Sequence, residues 1–65
     1  MDPNEMFITT LTEKTGITYK KILEVYHESG LTDKGKLCEL FMTRFQMSFG
    51  FANTLADIIV DNEVE

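Results

Sequence analysis

His27 is the one histidine of this 65-residue chain, and Cys38 its one cysteine. A zinc or iron site needs three or four suitable ligands. Around His27 the chain offers Glu24 at i−3 and Glu28 at i+1, with Cys38 well beyond. That spacing suits a solvated ion pair on a helix, so His27 is read as a surface or boundary residue, and neither a metal nor a cofactor is expected. Cys38 would be a nucleophile only with a base beside it and a depressed pKa. It falls mid-helix next to Leu37 and is read as a small buried apolar residue. Asp33-Lys34-Gly35-Lys36 places lysines around a glycine. A phosphate-binding loop also needs a preceding strand, more glycines and a Ser/Thr after the lysine, so this segment reads as an exposed helix start. With no paired carboxylates and no Ser/His/Asp set, the chain is expected not to be an enzyme and to have no small-molecule substrate.

The densest anomaly is aromatic. Phe41, Phe45, Phe49 and Phe51 fall within eleven residues, with Met42 and Met47 among them. A close-packed interior this small has limited room for large rings. Either these rings are simply the core, or part of the set stays exposed as an adhesive patch. Flexible methionines beside rigid rings suit a partner groove or a self-complementary dimer face. The candidate partner-binding set is therefore Phe41, Met42, Phe45, Met47, Phe49 and Phe51. The function expected from it is a non-enzymatic helical interaction module that binds a protein partner or itself as a homodimer.

Charge supplies the alternative. Residues 1–13 carry −3, residues 14–44 carry +2, and residues 45–65 carry −4, for a net charge of −5. All six basic residues sit in the middle segment, and Lys20, Lys21, Lys34, Lys36 and Arg44 are the candidates for nucleic-acid association. Two acidic ends repel a phosphate backbone, which makes nucleic acid the less favoured partner. A helix-turn-helix reading also fails at the turn. Counting from Gly30, the small residue expected four positions earlier is Tyr26, and the aliphatic one expected six positions later is Lys36.

These residues must be positioned by helices, because no run alternates apolar and polar and no Asn-Gly or Asp-Gly turn occurs. Turn and cap signals predict an all-α, single-domain chain folded as a compact bundle of four short helices, at about 3–14, 18–28, 33–46 and 49–61. Asp2-Pro3-Asn4-Glu5 is a helix start, with Met6, Phe7, Thr10 and Leu11 at helical spacing and Gly16 at the stop. Thr18 caps the second helix, whose apolar face is Ile22, Leu23 and Tyr26, flanked by Tyr19 and Val25; Ser29-Gly30 ends it. Thr32 or Asp33 opens the third, with Leu37, Leu40, Phe41 and Phe45 as its buried stripe. Gly35 weakens its first turn by about 1 kcal/mol relative to alanine. Ser48 caps the fourth, with Ala52, Leu55, Ala56, Ile58 and Ile59 facing inward. Residues 61–65 are expected to fray, since acidic side chains at a helix C-terminus oppose its dipole.

The stretch from Thr15 to Asn53, 39 of the 65 residues, resembles a family of small bacterial all-helical domains with no known function. Its pattern opens T-G-K-[ST], has a tryptophan four residues later, a G-L pair, a lysine-rich turn with glycine, a W-L-K segment, and a G-L-G-H-G-x-A-N close. Thr15-Gly16-Ile17-Thr18, Gly30-Leu31, Gly35 and Gly50-Phe51-Ala52-Asn53 match it in ungapped register. Ile22 and Leu40 stand in the tryptophan positions. Gln46 and Ser48 replace glycines, and Phe45 and Phe49 replace histidines of that pattern. The resemblance implies the helical fold, and with phenylalanine at both histidine positions it implies no titrating or metal-binding role there.

Composition bounds the rest. At 7.5 kDa and 43% hydrophobic residues the chain is an ordinary globular domain rather than a disordered segment. It is also too short to set residues aside for a deep catalytic cavity. One cysteine excludes an internal disulfide scaffold. The most apolar run, Leu55 to Val60, is broken by Asp57, so no membrane span is expected. The first residues lack the basic and apolar regions of a secretion signal, which makes the cytoplasm the expected location.

Overall fold

A computed structural model describes residues 3–63, and the expected cap at Asp2 and the last two residues of the chain lie outside them. The chain is all-α: α1 (Pro3–Thr15), α2 (Tyr19–Ser29), α3 (Lys34–Phe45) and α4 (Phe49–Asn62), with no strand among the described residues. It divides into two compact units, residues 1–30 with α1 and α2, and residues 31–65 with α3 and α4.

In the first unit, Pro3 occupies the first helical position, where a missing N–H costs nothing. α1 ends where Gly16 turns left-handed at φ 76° and donates its N–H to the Thr12 carbonyl at 2.8 Å. Threonines reinforce this stop. The Thr15 hydroxyl donates to the Leu11 carbonyl at 2.7 Å, and the Thr12 hydroxyl to the Ile17 carbonyl at 2.9 Å. Leu11 is fully buried and Phe7, Ile8 and Thr12 are half-buried, whereas Met6 (56% exposed) and Thr10 face solvent. The inward face of α1 is thus rotated from the expected one, because Ile8 and Thr12 complete the stripe in place of Met6 and Thr10.

α2 begins as predicted, with the Thr18 hydroxyl accepting from the Lys21 N–H at 3.2 Å, and ends on left-handed Gly30. Its buried residues are Ile22, Val25 and Tyr26. Leu23, expected on that face, is only half-buried. Positions i, i+3 and i+4 share a face, and Leu23 sits about 100° away from Ile22.

In the second unit, Asp33 caps α3 by accepting from the Lys36 N–H at 3.1 Å. Leu37, Cys38 and Phe41 are buried, while Leu40 and Phe45 are half-buried. α3 stops at Phe45 because Gln46 adopts the left-handed region at φ 56° without being glycine. Residues 46–48 return the chain, so α4 runs back against α3. The Ser48 hydroxyl accepts from the Phe51 N–H, and Ala52, Leu55, Ala56, Ile58 and Ile59 face inward as predicted. Ala52 and Ala56 are both fully buried. Lys34 Nζ lies 3.4 Å from Asp57 Oδ1 and ties the start of α3 to the middle of α4.

The expected fraying at Asp61 and Asn62 does not occur. The Asn62 side-chain amide donates to the Ile58 carbonyl and the Glu63 N–H to the Ile59 carbonyl, both at 2.8 Å. These bonds satisfy terminal carbonyls that would otherwise be exposed.

Candidate interaction surface

The six residues of the Phe/Met set separate by depth. Phe41 is fully buried and Met47 is 7% exposed, so both belong to the core and neither can form part of a contact patch. Phe41 follows Leu37 by four residues on the inward stripe of α3, and Met47 lies in the connection between α3 and α4 with its side chain buried. Phe45 and Phe51 are half-buried. Phe45 leans on the core, its ring centroid 6.1 Å from that of Phe41. Met42 (37% exposed) and Phe49 (63%) face solvent. Met42 and Phe45, three residues apart, are neighbours on the last turn of α3. The short connection brings the first turn of α4, with Phe49, to the same end of the unit.

The electrostatics of this end are simple. From Leu40 to Ala56 the sole charged residue is Arg44, which is exposed. The opposite end carries Lys34, Lys36, Asp57 and Asp61. The unit thus has an apolar end with one positive charge and a charged end holding its surface carboxylates of α4. Along α4 itself, Phe49, Asn53 and Val60 lie within about 40° of one another by helical geometry. All three retain exposed surface, with Ala56 fully buried alongside them. Val60 was absent from the expected set, although its spacing from Phe49 is legible in the sequence.

The other candidate residues do not assemble. Lys20, Lys21, Lys34, Lys36 and Arg44 are all exposed, but they are divided between the two units. Lys21 already lies 3.9 Å from Glu24, and Lys34 is held by Asp57. On α3, Lys34, Lys36 and Arg44 point in different directions around the axis. His27 is exposed, with its ring 5.0 Å from that of Tyr26. Cys38 is a buried free thiol. Among the described residues no group of three or more His, Cys, Asp or Glu could hold a metal ion, and no helix is long and apolar enough to cross a membrane. The Asp33 carboxylate occupies the N-terminus of α3 that an anion would otherwise use. One feature the sequence reading missed is a shallow, open depression lined by Leu31, Lys36, Glu39, Leu40 and Thr43. Lys36, Leu40 and Thr43 follow one another at i, i+4 and i+7, a spacing that could have revealed it.

No protein-family model matches the chain, and none of the curated proteins or solved structures compared with it is similar.

Proposed function

We propose that the chain is a non-enzymatic helical interaction module of a reducing compartment such as the cytoplasm, docking a protein surface through the apolar end of its α3–α4 unit. The exposure of Phe49 carries this reading: a large ring, 63% open to solvent, stands in the first turn of α4, at the same end of the unit as half-buried Phe45 and exposed Met42. Rigid aromatic anchors next to adaptable methionine are what the centres of protein interfaces use. The absence of carboxylates from Leu40 to Ala56 removes the charge that would make desolvation of this end costly. The buried, unpaired Cys38 thiol accords with the compartment.

The test is photo-crosslinking in cells, with a benzophenone analogue of phenylalanine placed at Phe49 and, as a control, at exposed Glu28. Protein adducts are expected at position 49, reduced by a Met42→Glu substitution in the same chain. Equal yields at the two positions would end the proposal.

A further inference from the structure

We propose that the depression on the flank of α3 is a second docking site, which takes an extended segment of another protein carrying a carboxylate on either side of an apolar residue. The depression is lined by Leu31, Lys36, Glu39, Leu40 and Thr43, all within the α3–α4 unit. Leu31 and Leu40 are half-buried and supply its apolar surface, and Lys36, Glu39 and Thr43 stand exposed around them. Its volume of about 440 Å³ falls in the range of small-molecule pockets, but it is open to one side. A small ligand needs most of its surface covered. An open depression instead suits a side chain carried in on a longer chain, whose other contacts lie outside it.

Charge specifies the occupant. Lys36 precedes Leu40 by four residues and Arg44 follows it by four, so a cation stands one helical turn to either side of the leucine. The two positions lie about 12 Å apart along the axis and diverge by about 80° around it, which makes two anchor points rather than one. Neither side chain is paired with a carboxylate among the described residues, in contrast to Lys21 and Lys34. In an extended peptide, residues i, i+2 and i+4 share a face, and i to i+4 spans about 13 Å. A segment with acids at i and i+4 and an apolar residue at i+2 thus sets the apolar side chain over Leu40 and a carboxylate at each cation. Covering Leu31 and Leu40 supplies the hydrophobic part of the contact. Glu39 lines the same depression, about 100° around the helix from Leu40. It repels a continuous run of anions, such as a nucleic-acid backbone or consecutive carboxylates, and so admits acids only at the two outer positions. The net charge of −5 acts in the same direction against nucleic acid.

The test is an NMR titration of the isotope-labelled chain with a seven-residue peptide blocked at both ends. The peptide has a central leucine, an aspartate two residues to each side of it, and serine elsewhere. Amide shifts are expected between Leu31 and Arg44 and not around Phe49, with a Kd of about 1 mM for so small a contact. Lys36→Glu and Arg44→Glu should each weaken binding about threefold, and Glu39→Lys should strengthen it about threefold, the scale of exposed ion pairs. All three sites are exposed, so circular dichroism should stay unchanged. A peptide with serine in place of its leucine should bind about tenfold more weakly. The proposal is overturned if the peptide moves no amide at about 10 mM, ten times the expected Kd. It is overturned equally if a peptide with lysines in place of the aspartates binds as well, or if a single-stranded oligonucleotide moves the same amides at lower concentration. Crosslinking from position 49 is read in a different unit of measurement and at a different surface, so the two docking sites stand or fall separately.

Discussion

Phe41 and Phe49 are chemically identical and energetically opposite. Phe41 is fully buried, and Phe49 leaves 63% of its surface in water. Truncating a buried phenylalanine costs its transfer energy plus the cavity it leaves, about 3–5 kcal/mol, which is close to the whole stability of a domain this small. Phe41→Ala is therefore expected to unfold the chain largely or completely in urea titrations followed by circular dichroism. Phe49→Ser removes a ring that lies mostly in water and should move stability by no more than about 0.5 kcal/mol. A loss of more than about 2 kcal/mol in Phe49→Ser would place that ring in the core and remove it from the surface patch. The sequence could name the set Phe41, Met42, Phe45, Met47, Phe49 and Phe51 but not divide it. Helical spacing puts Phe41 in line with Leu37, but nothing local says whether Phe45 and Phe49 are covered. That depends on the path of the turn between them, where Gln46 takes a left-handed conformation that its residue type does not announce.

At the level of elements, starts were legible because caps are local chemistry. Thr18, Asp33 and Ser48 each accept a hydrogen bond from the N–H three residues later, as their side chains dictate. Stops were legible where glycine announces them, at Gly16 and Gly30. The end of α3 has no such mark. Gln46 takes the left-handed conformation at φ 56°, ψ 36° at the cost of a Cβ clash that glycine would avoid. The inward face of α1 was missed for a different reason. Met6, Phe7 and Ile8 are consecutive apolar residues, so periodicity alone leaves two faces open, and the Thr12 hydroxyl bond to Ile17 marks the one adopted. From the strained turn follows a stabilising substitution. Gln46→Gly should raise stability by about 0.5–1 kcal/mol, the relief of the left-handed clash less the extra chain entropy of glycine. In a thermal melt that corresponds to about 2–8 °C for a chain of this size. No gain, or a loss, would mean that the Gln46 side chain makes a contact worth more than the strain.

Across the whole molecule, buried apolar side chains are shared unequally between the two units. Of the thirteen core residues among those described, Leu11, Ile22, Val25 and Tyr26 lie in residues 1–30, and the other nine lie in residues 31–65. α1 contributes Leu11 alone. Local opening costs least where few apolar side chains are covered, so α1 should open at lower free energy than α4. Within α1 the order is also set. The hydroxyl bonds of Thr12 and Thr15 anchor its C-terminal turn, whereas residues 4–9 carry mostly exposed or half-buried side chains. Native-state hydrogen exchange read by NMR over a series of low urea concentrations resolves this amide by amide. The amides of the first half of α1 are expected to exchange fastest among helical amides and with little urea dependence, the mark of local opening. Amides from Leu55 to Ile59 are expected to exchange only through global unfolding. Protection in α1 equal to that of α4 at every urea concentration would show the chain opening as one cooperative block, and the uneven core would then have no consequence for its dynamics.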